Sequence, residues 1–379
     1  MKVKLESFLQ EVSEKTTENN QYPVLTSSKA GLYLQSDYFN KQVASKDNTG
    51  YKIIKRGQFT YRAMSDTGEF FPNMLDCIDI GIVSPAYPVF EIAKPIVIPE
   101  FLKYYFKSNV FQQSIASFAQ GSTRTSIKYE KLKTVLMELP DLKEQQRHVE
   151  ILDTAQRIIN DRKKEIEKLD DLIKARFVEL FGDPVSNPKG WNMVELGELT
   201  GIGSSKRIFE KEYVSEGIPF YRTKEIVELS KGNSISTELY ITEERFAEIK
   251  KQYGVPKAGD LLISAVGTIG VIWIVDGKND FYFKDGNLIR VDGSEKFNSV
   301  YMKNLLEHLI AEYKKQMSSG TAYAALTISG LTKMKVYDVP MDLQNYFADF
   351  VHQVDKSKFI NINIIPEGGF YNGDKFYIS

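Results

Sequence analysis

The sequence is poor in the residues that build disulfides, metal sites and membrane spans. It has one cysteine and three histidines among 379 residues, and the single Cys77 cannot form an internal disulfide. The longest apolar runs, at 261–263 and 271–275, are far shorter than the roughly 20 residues of a membrane helix. No apolar run near Met1 resembles a signal peptide. These absences exclude a disulfide scaffold and predict a cytoplasmic protein.

An excess of either charge is also absent. The 49 Lys and Arg residues oppose 50 Asp and Glu residues, which gives a formal net charge of -1. Residues 1–139 carry 17 basic and 14 acidic side chains, and residues 184–339 carry 20 of each. This balance excludes a chain covered by one large basic surface but leaves room for a local basic patch. The length favours two or three globular domains.

Motifs of catalysis and metal binding are missing as well. His148, His308 and His352 are scattered without a second ligand at metal-binding spacing, so each is expected to be structural. There is no Gly-x-Ser-x-Gly elbow, no Walker-type phosphate loop and no Asn-Pro-Pro-Tyr loop of an adenine methyltransferase. The turn Gly267-Thr-Ile-Gly270 lies between two strand-like runs and predicts a hairpin or bulge. The sequence therefore indicates a binding protein with no metal site and no catalytic residues.

A long helix is the clearest local feature. Residues 141–181 contain neither proline nor glycine, and at 1.5 Å per residue they form a rod of roughly 60 Å. A seven-residue aliphatic repeat favours a coiled-coil spacer with a partner helix over an amphipathic helix lying on a core. Gly182-Asp-Pro184 then ends the helix. The expected interface residues are Leu152, Ile159, Ile166, Leu169, Ile173 and Leu180.

The chain also repeats itself at a period near 200 residues. The segment from Tyr51 to Gly57 is echoed by the segment from Tyr253 to Gly259, and Gln145 before the long helix is echoed by Gln344. We therefore expect an α/β (α+β) protein with two similar globular domains, each followed by a helix. Half-sites on one face of DNA lie about 34 Å apart, a spacing that a rod of this length could set.

Several motifs in order resemble the specificity subunit of a type I restriction–modification system. The resemblance covers residues 1 to about 358, and its motifs are specific as an ordered set although each is weak alone. They are Gly121-Ser-Thr-Arg124, Ile127 with Leu132, 139–146, 169–184, the restart at 187–198, and Gly259-Asp-Leu-Leu-Ile-Ser264 with Gly267-Thr-Ile-Gly270.

The resemblance implies a DNA-binding subunit of a restriction system, without catalytic residues, that recognises a bipartite and asymmetric DNA target. It implies a first target recognition domain at 1–140, a spacer helix at 141–183 and a second target recognition domain at 184–340. The expected partners are double-stranded DNA, two modification subunits that methylate adenine, and restriction subunits that translocate and cleave DNA. The chain itself is expected to need no cofactor, because S-adenosylmethionine, ATP and Mg belong to those partners.

The C-terminal sequence departs from the family pattern. A second spacer helix is expected to start at 341–359, whereas 360–379 alternates Ile and Asn before Pro366 and is expected to be a non-helical tail. The second spacer is thus predicted to be truncated, which would leave the aliphatic stripe of the first helix open to a modification subunit or to self-association.

Cations and small polar residues in loops are the candidate DNA contacts. Taken singly, each of these residues is more often a solvated surface residue than a DNA contact. They are Arg56, Arg62, Ser122, Thr123, Arg124 and Lys128 in the first domain and Lys206, Arg207, Arg222, Lys224 and Lys284 in the second.

Two other functions remain open at this point. A truncated chain could act as an assembly or decoy protein that binds modification subunits, or dimerises, without reading a full target. An enzyme without a familiar motif is the third alternative.

Overall fold

The computed structural model describes residues 1–38, 47–118, 125–235, 237–317 and 325–363. These residues form two compact units, Met1–Lys163 and Lys164–Asn363, and the division falls inside one long helix. Both units mix short strands with helices, which confirms the predicted fold class of two similar α/β domains with a long central helix.

The first unit is built from short strands and the helices that cover them. Its strands are β1 Lys2–Lys4, β2 Leu9–Val12, β3 Leu25–Ser27, β4 Leu32–Leu34, β5 Lys52–Lys55, β6 Phe59–Thr60, β7 Met64–Ser65, β8 Asn73–Met74, β9 Ile80–Val83, β10 Val89–Ile92, β11 Thr125–Ser126 and β12 Leu136–Glu138. Its helices are α1 Gln35–Tyr38, α2 Pro99–Lys107, α3 Asn109–Ala116, α4 Tyr129–Leu132 and the first part of α5 Leu142–Phe181, and a 3-10 turn covers Leu5–Ser7.

The second unit follows the same plan with more helix. Its strands are β13 Asn192–Glu195, β14 Ile202–Gly203, β15 Ile218–Tyr221, β16 Tyr240–Ile241, β17 Leu261–Ser264, β18 Ile272–Ile274, β19 Tyr282–Phe283, β20 Leu288–Val291 and β21 Lys335–Asp338. Its helices are α6 Leu196–Leu199, α7 Thr223–Ser230, α8 Glu243–Gln252, α9 Ser299–Met317, α10 Ile328–Thr332 and α11 Met341–Asn363, and a 3-10 turn covers Glu210–Glu212.

Both units contain the same strand framework. In the first unit, a four-stranded antiparallel sheet has the order β2-β10-β6-β8. The corresponding sheet of the second unit has the order β14-β20-β17-β18. The first strand of each unit pairs antiparallel with the last, β1 with β12 and β13 with β21. We call each strand pair, its four-stranded sheet and the helix that follows the last strand the shared frame.

One turn recurs in atomic detail in the two frames. Gly57 and Gly259 both have a positive φ, +87° and +88°, a conformation that glycine adopts without steric cost. The residue after each glycine folds its side chain back onto the turn. Gln58 accepts a hydrogen bond from the Lys55 amide at 2.8 Å, and Asp260 accepts one from the Lys257 amide at 2.9 Å.

A buried glutamine fixes the start of the closing helix in each frame. Gln145 accepts from the Ile98 amide at 2.8 Å and donates to the carbonyl oxygens of Ile96 and Pro140. Gln344 accepts from the Asn298 amide at 2.8 Å and donates to the Val339 carbonyl oxygen. These contacts place the two glutamines at equivalent positions of the repeat.

Aromatic residues fill the core of each unit. In the first, the rings of Phe59, Phe90 and Phe106 pack on one another, with centroids 5.7 to 6.1 Å apart. In the second, Phe181 on α5 packs on Tyr301 of α9 at 4.8 Å. The cores hold α2 or α9 against the four-stranded sheet of each unit.

The turn Gly267-Thr-Ile-Gly270 closes a hairpin, as the sequence predicted. Strand β17 pairs antiparallel with β18, and Ser264 stabilises the turn by accepting from the Val271 amide at 2.9 Å. Gly270 has φ +86°, and a Cβ there would lie 2.6 Å from a methyl group of Ile310. Both the backbone conformation and the close approach of α9 therefore require glycine.

The two units differ in the elements attached to the frame. The first carries two antiparallel pairs, β3 with β4 and β5 with β9. The second instead carries a three-stranded sheet, β16-β15-β19, with helices α7 and α8. Its β15 and β19 are parallel to each other.

Helix α11 ends later than the sequence predicted. It runs to Asn363, four residues beyond the expected end at 359, so the first residues of the expected non-helical tail are helical. Isoleucine and asparagine are only modestly unfavourable in a helix, so they do not by themselves end one that has already formed. The rest of the predicted tail, 364–379, lies outside the described residues.

The aliphatic stripe of α5 faces inward. Ile159 and Ile173 are 5% and 6% exposed, and the other four predicted interface residues, Leu152, Ile166, Leu169 and Leu180, are half-buried. The stripe is therefore covered, in contrast to the exposed surface expected from a truncated second spacer. In the second unit the cover comes partly from α11, because Leu169, Ile173 and Leu180 belong to the same apolar cluster as Phe347, Val351 and Val354.

Candidate nucleic-acid interface

The candidate cations of the first unit are divided between two places. Arg56 follows β5 and is held by Asp79, whose carboxylate accepts from Nε at 2.7 Å, and by the carbonyl oxygen of Asp76. Arg62 lies elsewhere, between β6 and β7, and its nearest carboxylate oxygen, on Asp66, is 3.8 Å away. Arg56 is therefore tied to its own turn, whereas Arg62 is half-exposed and only weakly held.

Arg62 and Lys128 are brought together by the backbone. The Ile127 amide donates to the Ala63 carbonyl oxygen at 3.0 Å, and the Ile127 carbonyl oxygen accepts from the Tyr61 hydroxyl at 3.0 Å. Arg62 lies between Tyr61 and Ala63, and Lys128 directly follows Ile127, so both cations lie next to this contact. Lys128 is exposed and has no ion pair with the part of the chain that the structure describes. The predicted contacts Ser122, Thr123 and Arg124 lie outside the described residues.

The candidate cations of the second unit gather where two parallel strands end. Strands β15 and β19 pair through Phe220 with Tyr282 and through Tyr221 with Phe283. Arg222 and Lys284 directly follow these strands, and the Lys284 amide donates to the Tyr221 carbonyl oxygen at 2.8 Å. Carboxyl ends of parallel strands are a common position for ligand contacts in proteins.

A third segment, 204–207, adds two more cations at the same place. The Lys206 amide donates to the Tyr282 hydroxyl at 2.6 Å, and its ammonium group lies 5.2 Å from the centre of the Tyr253 ring. Arg207 donates from Nε to Asp285 at 2.8 Å. Four of the five predicted cations of this domain, Lys206, Arg207, Arg222 and Lys284, are therefore connected through backbone or side-chain contacts. Lys224 lies exposed in the first turn of α7.

Arg222 has a structural partner that the sequence did not reveal. Its guanidinium donates to Glu225 at 3.0 Å, and the same carboxylate caps α7 by accepting from the Arg222 amide at 2.8 Å. Glu225 is 2% exposed, and its hydrogen bond raises the pKa of Arg222 further above its usual range. Removing Arg222 would leave a buried carboxylate unpaired, which is costly.

Four buried polar atoms around these strand ends lack a hydrogen-bond partner among the described residues. They are Ser205 Oγ, Arg222 Nε, Thr223 Oγ1 and Asp285 Oδ1. Buried polar groups are nearly always paired in folded proteins, so these four atoms mark the strand ends as a candidate place for a bound water molecule or ligand. No motif in the sequence singles out Ser205, Thr223 or Asp285. Asp285 precedes Gly286, and this Asp-Gly pair is typical of a turn, which hides any further role.

Searches for two other kinds of site gave negative results. Over the described ranges, no three His, Cys, Asp or Glu side chains are grouped as metal ligands would be. None of the helices described here is both long and apolar enough to cross a membrane.

The shared frame and its two unlike sets of attached strands define a duplicated two-domain protein. The chain matches the family model of the type I restriction modification DNA specificity domain twice, over 6–168 and 188–367. It therefore belongs to that family, which confirms the resemblance seen in the sequence.

Two curated relatives support the assignment. A putative type I restriction enzyme specificity subunit of Haemophilus influenzae, S.HindORF215P, is 30% identical over 270 residues, which cover 70% of this chain and 66% of the relative. The MjaIX specificity subunit of Methanocaldococcus jannaschii is 26% identical over 295 residues, which cover 71% and 65%. The matched regions thus span about two thirds of the length of these relatives.

Solved structures share the fold. The S subunit of a type I restriction–modification system from M. genitalium aligns with a TM-score of 0.50 and 16% identity, over 96% of this chain and 91% of that one. A chain from a structural study of type I R-M complex assembly and conformational transition aligns with a TM-score of 0.55 and 17% identity, over 96% and 93%. At this identity the likeness concerns the fold alone.

Proposed function

We propose that this chain is the non-catalytic DNA-specificity subunit of a type I restriction–modification complex and that it recognises a bipartite, asymmetric DNA target. The observation that carries the proposal is one shared frame bearing two different sets of outer strands. A duplicated frame offers two equivalent DNA-facing surfaces, and unlike attachments give them different base preferences. Each unit then reads one half of the target.

The charges of the two units support this role. Phosphate contacts position a protein on DNA, whereas side chains at the base edges specify the sequence. Arg62 and Lys128 in the first unit, and Lys206 and Lys284 in the second, supply cations that no buried carboxylate holds at hydrogen-bond distance. A chain with net charge -1 suits a subunit that shares phosphate contacts with larger partners.

Adenine methylation and cleavage then belong to the partner subunits. S-adenosylmethionine, ATP and Mg are bound there, and this chain contributes the choice of DNA sequence. A cytoplasmic location follows from the same proposal, because the complex acts on the cell's own DNA and on incoming DNA.

The outer face of α5 is our proposed docking surface for a modification subunit. The inner stripe is covered, yet Ile151 and Ile158, one heptad apart, are 49% and 48% exposed. Exposed aliphatic residues at heptad spacing are typical of a helix that receives another helix. Replacing both with Asp should abolish co-purification with the cognate modification subunit, because two charges would be buried in an apolar interface.

A matched variant controls for added charge. Asn160→Asp introduces a negative charge on an exposed polar position of the same helix and should leave co-purification unchanged. Unimpaired binding by the Ile151→Asp and Ile158→Asp double variant would show that the modification subunit docks elsewhere, and self-association through this face would then be tested by the chain's mass in solution.

The proposed function is tested by adding the chain to its cognate modification subunit and sequencing methylated adenines genome-wide. A bipartite methylated motif that appears only with the chain supports it. Co-purification of the two proteins without any such motif would contradict sequence recognition and favour the assembly or decoy role.

A further inference from the structure

Asp285 occupies an unusual position at the strand-end cluster, which we define as Arg207, Arg222, Lys284 and Asp285. Its side chain is 13% exposed. One carboxylate oxygen, Oδ2, accepts a hydrogen bond from Arg207 at 2.8 Å. The other, Oδ1, lies 3.7 Å from the Lys284 ammonium, too far for a hydrogen bond, and accepts none from the described residues. Oδ1 is therefore within ion-pair range of Lys284 but has no hydrogen-bond donor among the described residues.

The neighbouring groups are suited to surround a nucleotide. Arg222 Nε and the hydroxyls of Ser205 and Thr223 are also buried and lack partners among the described residues. Their segments lie side by side, because β15 and β19 are paired and the Lys206 amide bonds to Tyr282. The cluster thus combines a guanidinium N–H, two hydroxyls and one carboxylate oxygen that have no hydrogen-bond partner among the described residues. Each of these atoms is shielded from solvent, so a base contacts them only after side chains of the cluster move aside.

A carboxylate acceptor among cations favours contact with a DNA base over contact with a phosphate. Phosphate oxygens are acceptors and negatively charged, so a carboxylate acceptor repels them, whereas the cations attract them. An unused carboxylate oxygen requires a donor, and the major groove offers donors only on the exocyclic amino groups of cytosine and adenine. The Arg207 and Lys284 side chains reduce the cost of holding the carboxylate near the DNA backbone.

We infer that Asp285 is a specificity-determining residue of the second unit, which accepts a hydrogen bond from the exocyclic amino group of a cytosine or adenine in the DNA target. The inference rests on the proposed function, since it assumes that this unit reads one half-site. Arg207 is then a positioning residue that orients the carboxylate, and the Lys284 ammonium group contacts a phosphate.

The test compares methylated motifs produced by the complete complex with wild-type chain, Asp285→Ala and Asp285→Asn. Asp285→Ala should make one cytosine or adenine position of one half-site degenerate, with discrimination at that position falling by about tenfold. Asp285→Asn, which keeps shape and offers an amide, should favour adenine there, because an amide pairs with adenine N6 and N7. If adenine is the natural base, Asp285→Asn retains it.

Two matched variants separate base reading from structural support. Asp280→Ala removes a half-exposed aspartate of the same unit, 3.6 Å from Lys250, and should leave the motif unchanged. Arg207→Ala removes the hydrogen bond that orients the carboxylate but keeps the acceptor, so it should weaken discrimination at the same position as Asp285→Ala, by a smaller factor, and at no other position.

The outcomes also separate this inference from the proposed function. An unchanged motif with uniformly weaker methylation in Asp285→Ala, matched by Arg207→Ala, would overturn base reading by Asp285 while leaving the specificity role intact. Absence of any chain-dependent motif with the wild-type chain would overturn the proposed function itself. Thermal unfolding of each variant identifies loss of fold. If Asp285→Ala unfolds, Asp285→Asn decides the question where the natural base is cytosine, and Asp285→Leu, which has a similar shape but no acceptor, decides it where the natural base is adenine.

Discussion

At the residue scale, buried polar side chains define the shared frame as firmly as its apolar core does. Gln145 is fully buried and joins three backbone groups that no strand or helix would otherwise pair. Its neighbour Gln146 is exposed and bonds only to Glu150 on the next turn. The two adjacent glutamines therefore form a natural comparison.

Gln145→Ala should lower the free energy of unfolding of the first unit by about 3 kcal/mol, since it leaves one buried amide and two carbonyl oxygens without partners. Gln146→Ala should change it by less than about 0.5 kcal/mol. Native-state hydrogen exchange of amides in β10 measures both. Equal protection in the two variants would mean that Gln145 does not hold the frame together.

Residue-scale prediction from the sequence succeeded for framework positions and failed for charged pairs. The repeat matched Gly57 with Gly259 and Gln145 with Gln344, because backbone geometry restricts which residues fit there. Arg222 was predicted as a DNA contact or a solvated surface charge, although it pairs with a carboxylate three positions later. The sequence shows that Glu225 is near in the chain but not that it is buried, since burial depends on contacts that form only on folding.

At the element scale, helix α11 is shorter than α5 and is held to it in the second unit by specific contacts. Phe347 packs edge-on against Phe177, with centroids 5.4 Å apart. Lys358, 14% exposed, bonds to Asp170 on α5 at 2.7 Å and to Asp355 on its own helix at 3.0 Å. The aliphatic stripe of α5 was predicted from its seven-residue repeat. The contact between Lys358 and Asp170 depends instead on where α11 ends.

The charge state of Lys358 follows from these contacts. Burial lowers its pKa, but the hydrogen bonds to Asp170 and Asp355 outweigh burial, so the pKa is raised above its usual range. A raised pKa in the folded state gives a stabilisation that is fully present below the unfolded value of about 10.4 and is lost as pH rises through the folded value.

Lys358→Met should therefore destabilise the contact between α11 and α5 by about 1 kcal/mol, because both carboxylate partners are about half-exposed. The loss should be constant from about pH 6 to about pH 9, as measured by hydrogen exchange across 341–358. The exposed Lys356→Met is the control and should have no effect. A loss that already disappeared near pH 9 would contradict the raised pKa.

The end of α11 shows why element boundaries are harder to predict than elements. The Ile and Asn alternation after 359 predicted a non-helical tail, but helical structure continues to Asn363. A helix that is already packed on a partner extends through residues of modest propensity, because each added residue gains a backbone hydrogen bond.

At the scale of the whole molecule, the duplication could be predicted from the sequence. The proposed DNA-facing surfaces could not. The shared frame follows from motifs that recur near 200 residues apart. The attached strands are too short to leave a periodic pattern, and β15, β16 and β19 each depend on neighbours distant in sequence. Tertiary context decides such segments, so the strand-end cluster emerged only from the folded second unit.

The central claim is that each unit reads its own half of the DNA target, and separate substitutions in the two units test it most directly. The measurement is the methylated motif of the complete complex with Arg62→Ala or with Arg222→Lys, which keeps a cation beside buried Glu225 but removes Nε. We predict relaxed specificity in one half of the motif for Arg62→Ala and in the opposite half for Arg222→Lys. Relaxation of the same half, or of both halves equally, by the two variants would contradict the account.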